Sequence, residues 1–197
     1  AVPTGRTTTF DYDPNGNVRT RTEDTPGGGT RTTVSTFDAR NNLDSQTHPS
    51  AGGIVYRDDI VYDANDNTVL SRRSGSDGFY RVSINRVDPR NRVVSLTESS
   101  SDTMDPEASG TGRTSFFEYS PNSNRTATVD GRGKRTEYGF DDANRMRSVQ
   151  NPTGGLTEFI YDDNGNRTGV VVDGPNGGRI PTQTMSYTPA NQLETTK

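Results

Sequence analysis

Polar and apolar residues alternate along most of this chain, and short runs of Asp, Pro, Asn and Gly interrupt the alternation at regular intervals. The clearest run is Tyr161-Asp162-Asp163-Asn164-Gly165-Asn166-Arg167. Tyr12-Asp13-Pro14-Asn15-Gly16-Asn17-Val18, Phe37-Asp38-Ala39-Arg40-Asn41-Asn42-Leu43 and Tyr62-Asp63-Ala64-Asn65-Asp66-Asn67 follow the same plan. So do Val87-Asp88-Pro89-Arg90-Asn91-Arg92-Val93 and Phe140-Asp141-Asp142-Ala143-Asn144-Arg145-Met146. Tyr119-Ser120-Pro121-Asn122-Ser123-Asn124 and Tyr187-Thr188-Pro189-Ala190-Asn191-Gln192-Leu193 are looser versions. The anchors are thus Tyr12, Phe37, Tyr62, Val87, Tyr119, Phe140, Tyr161 and Tyr187. Self-similarity at a step of about 20–50 residues is the signature of a repeat architecture.

Each position of the motif has a physical role. The residue after the anchor (Asp13, Asp38, Asp63, Asp88, Asp141 and Asp162, or Ser120 and Thr188) opens a four-residue turn, where its side chain accepts hydrogen bonds from backbone two residues on. Pro14, Pro89, Pro121 and Pro189 follow where a fixed φ suits a type I turn. The fourth residue of the turn is Gly16, Asn41, Asp66, Asn91, Ser123, Asn144, Gly165 or Asn191, mostly the types that best tolerate a left-handed backbone. A type I turn followed by a left-handed residue is a common hairpin connection. Turns are predicted at 13–17, 38–42, 63–67, 88–92, 120–124, 141–145, 162–166 and 188–192.

The flanks agree. Phe10, Ile60, Phe117, Tyr138, Phe159 and Met185 lie two residues before an anchor, on the same face of a strand. Val18, Leu43, Val93, Met146 and Leu193 begin return strands rich in Thr, Val, Tyr and Arg. Looser connections at the opposite edge are expected at 24–29, 48–53, 74–78, 130–133, 151–155 and 173–178. The Ser-, Thr- and Asp-rich stretch 98–113 reads as one long loop. No segment holds a helical period over three turns. The expectation is an all-β array of tandem antiparallel hairpins over residues 1–197, about sixteen strands in all. A flat sheet that wide rarely persists, so a curved or spiralling surface is expected.

Composition sharpens this. Only 26% of the 197 residues are hydrophobic and the formal net charge is -4, so a thin core is implied, with apolar residues placed periodically. The chain has no Cys, which excludes disulfides and thiolate chemistry. No stretch has the roughly 18 apolar residues of a membrane-spanning helix. Arg alternates with Asp, Glu and Thr without a basic run, which with mild acidity argues against nucleic acid as a partner. Starting at Ala1 without Met, the chain reads as a piece of a longer array.

The recurring Tyr-Asp-x-x-Gly-Asn-Arg pattern, best seen at Tyr161 to Arg167 and Tyr12 to Val18, resembles the YD repeats of the RHS (rearrangement hotspot) family. That family includes bacterial polymorphic toxins, cocoon-forming components of insecticidal toxin complexes, wall-associated proteins and teneurins. The resemblance covers residues 8 to 196. It implies a spiralling strip of hairpins that builds a hollow shell, usually around a C-terminal toxin domain, in a secreted or surface-exposed bacterial protein.

Asp11-x-Asp13-x-Asn15-Gly16 opens like a calcium loop, but Thr22 stands at its twelfth position and Glu23 comes one late. His48, the single histidine, reads as an exposed loop residue, although Asp44 and Ser45 lie nearby in sequence. Asp141-Asp142 and Asp162-Asp163 read as turn residues before glycosidase carboxylates, because adjacent residues point apart. Asn124-Arg125-Thr126 and Asn166-Arg167-Thr168 match glycosylation sequons and arise from the repeat. No cofactor, metal or catalytic group is expected. The leading expectation is a non-catalytic shell-wall module whose partners are other repeats, of the same or an identical chain, and an enclosed toxin domain. A head-to-tail filament, and a glycan-binding adhesin using Tyr56 or Tyr80, are the alternatives.

Overall fold

A computed structural model describes residues 5–100, 112–174 and 178–197, and those residues contain strands and turns but no helix. They divide into two compact units, one ending at Thr114 and the other beginning at Ser115. The first holds β1 (Thr8–Tyr12), β2 (Val18–Asp24), β3 (Thr30–Phe37), β4 (Leu43–Thr47), β5 (Tyr56–Tyr62), β6 (Thr68–Gly75), β7 (Tyr80–Val87) and β8 (Val93–Ser99). Strand β9 (Arg113–Tyr119) begins at the division. The second unit continues with β10 (Arg125–Val129), β11 (Arg135–Phe140), β12 (Met146–Gln150), β13 (Leu156–Tyr161), β14 (Arg167–Asp173), β15 (Arg179–Tyr187) and β16 (Leu193–Thr196). Within each unit every strand pairs antiparallel with its neighbours in chain order. The all-β hairpin array expected from the alternation is borne out.

All eight hairpins close in one register. Each anchor pairs with the residue six places on: Tyr12 with Val18, Phe37 with Leu43, Tyr62 with Thr68, Val87 with Val93, Tyr119 with Arg125, Phe140 with Met146, Tyr161 with Arg167 and Tyr187 with Leu193. The register then slips by one. Asp11 pairs with Thr20, Thr36 with Ser45, Val61 with Leu70 and Arg86 with Ser95, and the second unit repeats the slip. Every return strand therefore carries one additional residue just after its turn, such as Arg19, Asp44, Val69 or Val94. A bulge of this kind bends the strand that holds it and tightens its right-handed twist. A further slip between Val170 and Val171 lies opposite Pro181 in β15. Proline has no N–H for the ladder, which confines it to such irregular places.

The connections at the other edge are tighter than the composition suggests. Thr25 to Gly29, Gly75 to Phe79, Asp130 to Lys134 and Asn151 to Gly155 each close with the same pair of backbone bonds as the anchor turns. Of the connections at this edge whose residues are all described, 48–55 is the longer one, with a small Ala51–Ile54 bridge inside it. Strand β8 continues through Ser99 and β9 begins at Arg113, so the stretch 98–113 expected as one loop is strand at both of its ends. Residues 101–111 of that loop, like residues 175–177 of the connection at 173–178, lie outside the described residues.

The core is thin, as the 26% hydrophobic content requires. Among the described residues Val82 and Ala127 are the buried apolar ones, joined by Ser35, Ser45, Ser95, Thr97 and Ser99. In the first unit one face carries the row Ser45, Asp59, Arg72, Val82, Ser99, paired across successive strands. The anchors Phe37, Tyr62, Val87, Tyr119, Phe140, Tyr161 and Tyr187 are half-buried, while Tyr12 on β1 is 56% exposed.

Candidate functional site: the anchor-turn edge

The eight anchor turns are built alike. The first residue of each turn donates its backbone N–H to the carbonyl of the fifth, as from Asp13 to Asn17 (2.9 Å) and from Asp162 to Asn166 (3.0 Å). Its own carbonyl accepts the N–H of the fourth, as from Gly16 and Gly165 (3.0 Å each). The fourth residue is left-handed throughout: φ is 87° at Gly16, 66° at Asn41, 63° at Asp66, 60° at Asn91, 65° at Ser123, 60° at Asn144, 88° at Gly165 and 59° at Asn191. An L side chain pays a penalty there that Gly escapes and Asn or Asp feels least.

The aspartates fasten this geometry. Asp63 Oδ1 accepts the N–H groups of Asn65 (2.8 Å) and Asn67 (2.9 Å), and its Oδ2 accepts Asn67 Nδ2 (2.9 Å). Asp13, Asp38, Asp88 and Asp141 each accept both backbone N–H groups in the same way. Asp162 accepts the N–H and Nδ2 of Asn166. These bonds favour the ionised form, so all six carboxyls titrate below the ordinary aspartate range. The largest cause is the fifth residue's side chain at Asp13, Asp63, Asp88 and Asp162, and its backbone N–H at Asp38 and Asp141. In the two looser turns Ser120 Oγ accepts the N–H of Asn124 and Thr188 Oγ1 that of Gln192 (3.2 Å each).

Within each unit, side chains then tie one turn to the next. Asn17 Nδ2 donates to Asn41 Oδ1 (3.0 Å), Asn42 Nδ2 to Asp66 Oδ1 (2.8 Å) and Asn67 Nδ2 to Asn91 Oδ1 (2.9 Å). In the second unit Asn124 Nδ2 donates to Asn144 Oδ1 (2.8 Å) and Asn166 Nδ2 to Asn191 Oδ1 (3.0 Å). Between these, Arg145 Nη1 donates to the Asp162 carbonyl (3.4 Å), and its guanidinium lies 4.7 Å from the Tyr161 ring centre. The anchors bind in the opposite direction. The hydroxyls of Tyr62, Tyr161 and Tyr187 donate to the carbonyls of Leu43 (3.0 Å), Met146 (2.8 Å) and Arg167 (3.0 Å), where the preceding hairpin's return strand begins. The fifth residue was not singled out from the sequence; its signal is an Asn, Arg or Gln at a fixed distance from every anchor.

Other candidate groups fall elsewhere. His48 is half-buried, and its Nε2 meets Asp58 Oδ2 at 2.7 Å, so it is not the free loop residue expected, and its partner is not Asp44. Arg73 grips the same Asp58 through Nε (2.6 Å) and Nη2 (2.7 Å), which together with His48 holds that carboxyl below its usual range. Asp141 and Asp162 are occupied in turn capping, while Asp142 and Asp163 face solvent. The calcium-loop positions do not converge: Asp13 binds its own turn, Thr22 faces Thr32 across the ladder and Glu23 pairs with Arg21. No group of three or more metal-ligating side chains occurs among the described residues. Tyr56 pairs with Gly75 and Tyr80 with Ser74, which puts the two rings on opposite faces.

No family model matches the chain. Over 53 residues, 27% of its length, it is 42% identical to a curated protein named "Probable deoxyribonuclease RhsB" from Dickeya dadantii (strain 3937). The resemblance to RHS sequences is borne out. That match covers 4% of the RhsB chain, so the RHS-like array described here spans a small part of the relative's length. Similar solved structures include a Photorhabdus luminescens Tc holotoxin pore carrying a TccC3 mutation (TM-score 0.48, 13% identity), covering 92% of this chain and 13% of that one. The crystal structure of TcdB2-TccC3 follows, with a TM-score of 0.40 and 11% identity, covering 94% of this chain and 13% of its own.

Proposed function

We propose that this RHS-like array is a non-catalytic structural module, a stretch of β wall in a secreted or surface-exposed bacterial protein that encloses a toxin domain. The observation that carries it is the uniformity of the eight anchor turns. The side chains that recur are consumed in closing hairpins and, within each unit, in joining neighbouring hairpins, which leaves none of them for chemistry. The bulge after every anchor turn supports a curved wall, because a bend repeated on the same strand of each hairpin accumulates. The nuclease name belongs to RhsB as a whole, and this chain corresponds to a small fraction of it.

A head-to-tail filament is the second reading, favoured by the side chains on the end strands. Phe10 and Tyr12 on β1 are 48% and 56% exposed, and Leu193 on β16 is 58% exposed. Unpaired strand edges template the addition of another chain. Light scattering and electron microscopy of the purified chain separate the two. Discrete particles of one size support the wall module, and polymers whose length grows with concentration support the filament. Cleavage of plasmid DNA by the purified chain, reduced in a variant that leaves its fold intact, would overturn the non-catalytic reading.

A further inference from the structure

We infer that the anchor turns carry a neighbour code: the third and fifth residues of one turn are matched to the left-handed fourth residue of the next, and this match selects which hairpins can stand side by side. The inference concerns adjacency and is independent of whether the array forms a wall or a filament.

Inside its own turn the fifth residue binds the aspartate that opens it. Asn17, Asn67 and Asn166 donate Nδ2 to the turn's own aspartate at 2.9–3.0 Å. Arg92 and Arg145 donate Nε to theirs, at 2.8 and 2.7 Å. Asn and Arg thus serve their own turn equally well. The choice between them is left to the neighbour.

There the two types separate. Within each unit, where the next turn's fourth residue carries a side-chain oxygen (Asn41, Asp66 and Asn91 in the first, Asn144 and Asn191 in the second), the fifth residue before it is Asn, and its amide meets that oxygen at 2.8–3.0 Å; Arg92 and Ser123 stand on either side of the division between the units and are no part of this comparison. Where the fourth residue is Gly165, with no side chain, the residue before it is Arg145, long enough to pass over the glycine to the Asp162 carbonyl. A Cβ built on Gly165 would stand 3.6 Å from Arg145 Nη1, an ordinary contact, which places the guanidinium directly over the glycine.

The third residue follows the same rule. Asn15, Asn65 and Asn122 donate to the same acceptors, Asn41, Asn91 and Asn144, at 3.0–3.2 Å. Arg40 meets the one acidic acceptor, Asp66, at 2.8 Å. Ala143, which has nothing to donate, precedes Gly165, which has nothing to accept. Asn164 makes no such bond to Asn191, so at that junction the fifth residue acts alone.

Two double-mutant cycles on the full 197-residue chain test this. The first uses Asn166→Arg, Asn191→Gly and the pair together. The second uses Arg145→Asn, Gly165→Asn and their pair, which rebuilds at this junction the rung found at the other five. Each single variant should lower the folded-to-unfolded ratio in urea by about threefold to tenfold, the range of one solvent-accessible hydrogen bond. Each pair should lose clearly less than the product of its two single losses, because the backbone cost at position 165 or 191 remains while the inter-turn match is restored, a coupling that mere local damage does not give. Pairs whose loss equals the product of the single losses would overturn the code. Should one variant unfold its hairpin, side-chain amide exchange by NMR still decides. In Arg145→Asn/Gly165→Asn the side-chain amide introduced at position 145 should exchange more slowly than the same amide in Arg145→Asn alone, and equal exchange in the two would refute the match.

Discussion

Asn144 is the residue at which backbone strain and the inter-turn bond can be separated. Its φ is 60°, and its Oδ1 accepts Asn124 Nδ2 at 2.8 Å and Asn122 Nδ2 at 3.2 Å. Asn144→Ala removes the acceptor and leaves a Cβ residue in the left-handed region with no local compensation. The strain is about 1–2 kcal/mol. The lost bonds, both open to solvent, contribute about 0.5–1.5 kcal/mol net. The expected total is about 2–3 kcal/mol. Asn144→Gly removes the same bonds but sits in this conformation freely, and its cost is the lost bonds plus about 0.4–1 kcal/mol of added unfolded-state freedom. Asn144→Asp keeps both the tolerance and the acceptor, and should stay within about 0.5 kcal/mol of wild type. Urea denaturation followed by far-ultraviolet circular dichroism ranks the three. If Ala proved no worse than Gly, the turn would not enforce its left-handed residue. If Asp proved as costly as Gly, the oxygen would not be holding the neighbouring turn.

Three further outcomes are expected. Because the turn aspartates titrate below the ordinary value of about 3.9, their contribution is complete above that pH and is lost as pH falls through it toward the folded-state value; protection of the Asn67 backbone amide, measured against its intrinsic exchange rate and conferred by Asp63, should therefore fall below about pH 4 while that of Asn124, held by Ser120, falls less, and an equal fall in the two would contradict the assignment. Tyr161→Phe removes the bond to the Met146 carbonyl and keeps the ring against Arg145, so a loss of about 0.5–1.5 kcal/mol is expected in urea, and an unchanged midpoint would exclude a role for the hydroxyl. Val82→Ala, at 1% exposure, should cost about 1.6 kcal/mol from two lost carbons plus a cavity term, whereas Val34→Ala, at 40% exposure, should cost under about 0.5 kcal/mol; equal values would mean that burial at Val82 contributes little.

The hairpin array was legible because two independent signals coincide at each anchor: strand alternation breaks, and within four residues a type appears that accepts positive φ. The bulge was not legible. The additional residues are Arg19, Asp44, Val69, Val94, Thr126, Arg147, Thr168 and Glu194, and they share neither size, charge nor polarity. A register slip set by backbone geometry leaves no mark on composition. The opposite edge misled for a related reason: its glycines looked like loose loops, yet Gly28, Gly78, Gly133 and Gly154 hold φ between 75° and 91° and close turns as tight as the anchors' own. His48 lay in no repeating context, so alternation gave no hint that Asp58, ten residues away, would meet it.

The thin core and the polar turn edge belong to one energetic scheme. With few apolar side chains withdrawn from water, a single hairpin cannot recover the entropy of ordering its own backbone, about 1–2 kcal/mol per residue. What each hairpin gains instead comes from the strands beside it, through the ladder, the amide rungs and the tyrosine hydroxyls. All of these reach only the adjacent hairpin. Stability in such an array is a sum over junctions, as in other one-dimensional repeats. The tyrosine reaches backward while the fifth residue reaches forward, so an interior hairpin such as that of Tyr161 and Asn166 is held by different chemistry on its two sides. Losing the tyrosine hydroxyl weakens the junction before the hairpin, and losing the asparagine weakens the one after it. The two losses should therefore add with little coupling, although both lie in one hairpin, whereas Asn166 and Asn191, twenty-five residues apart, should couple strongly.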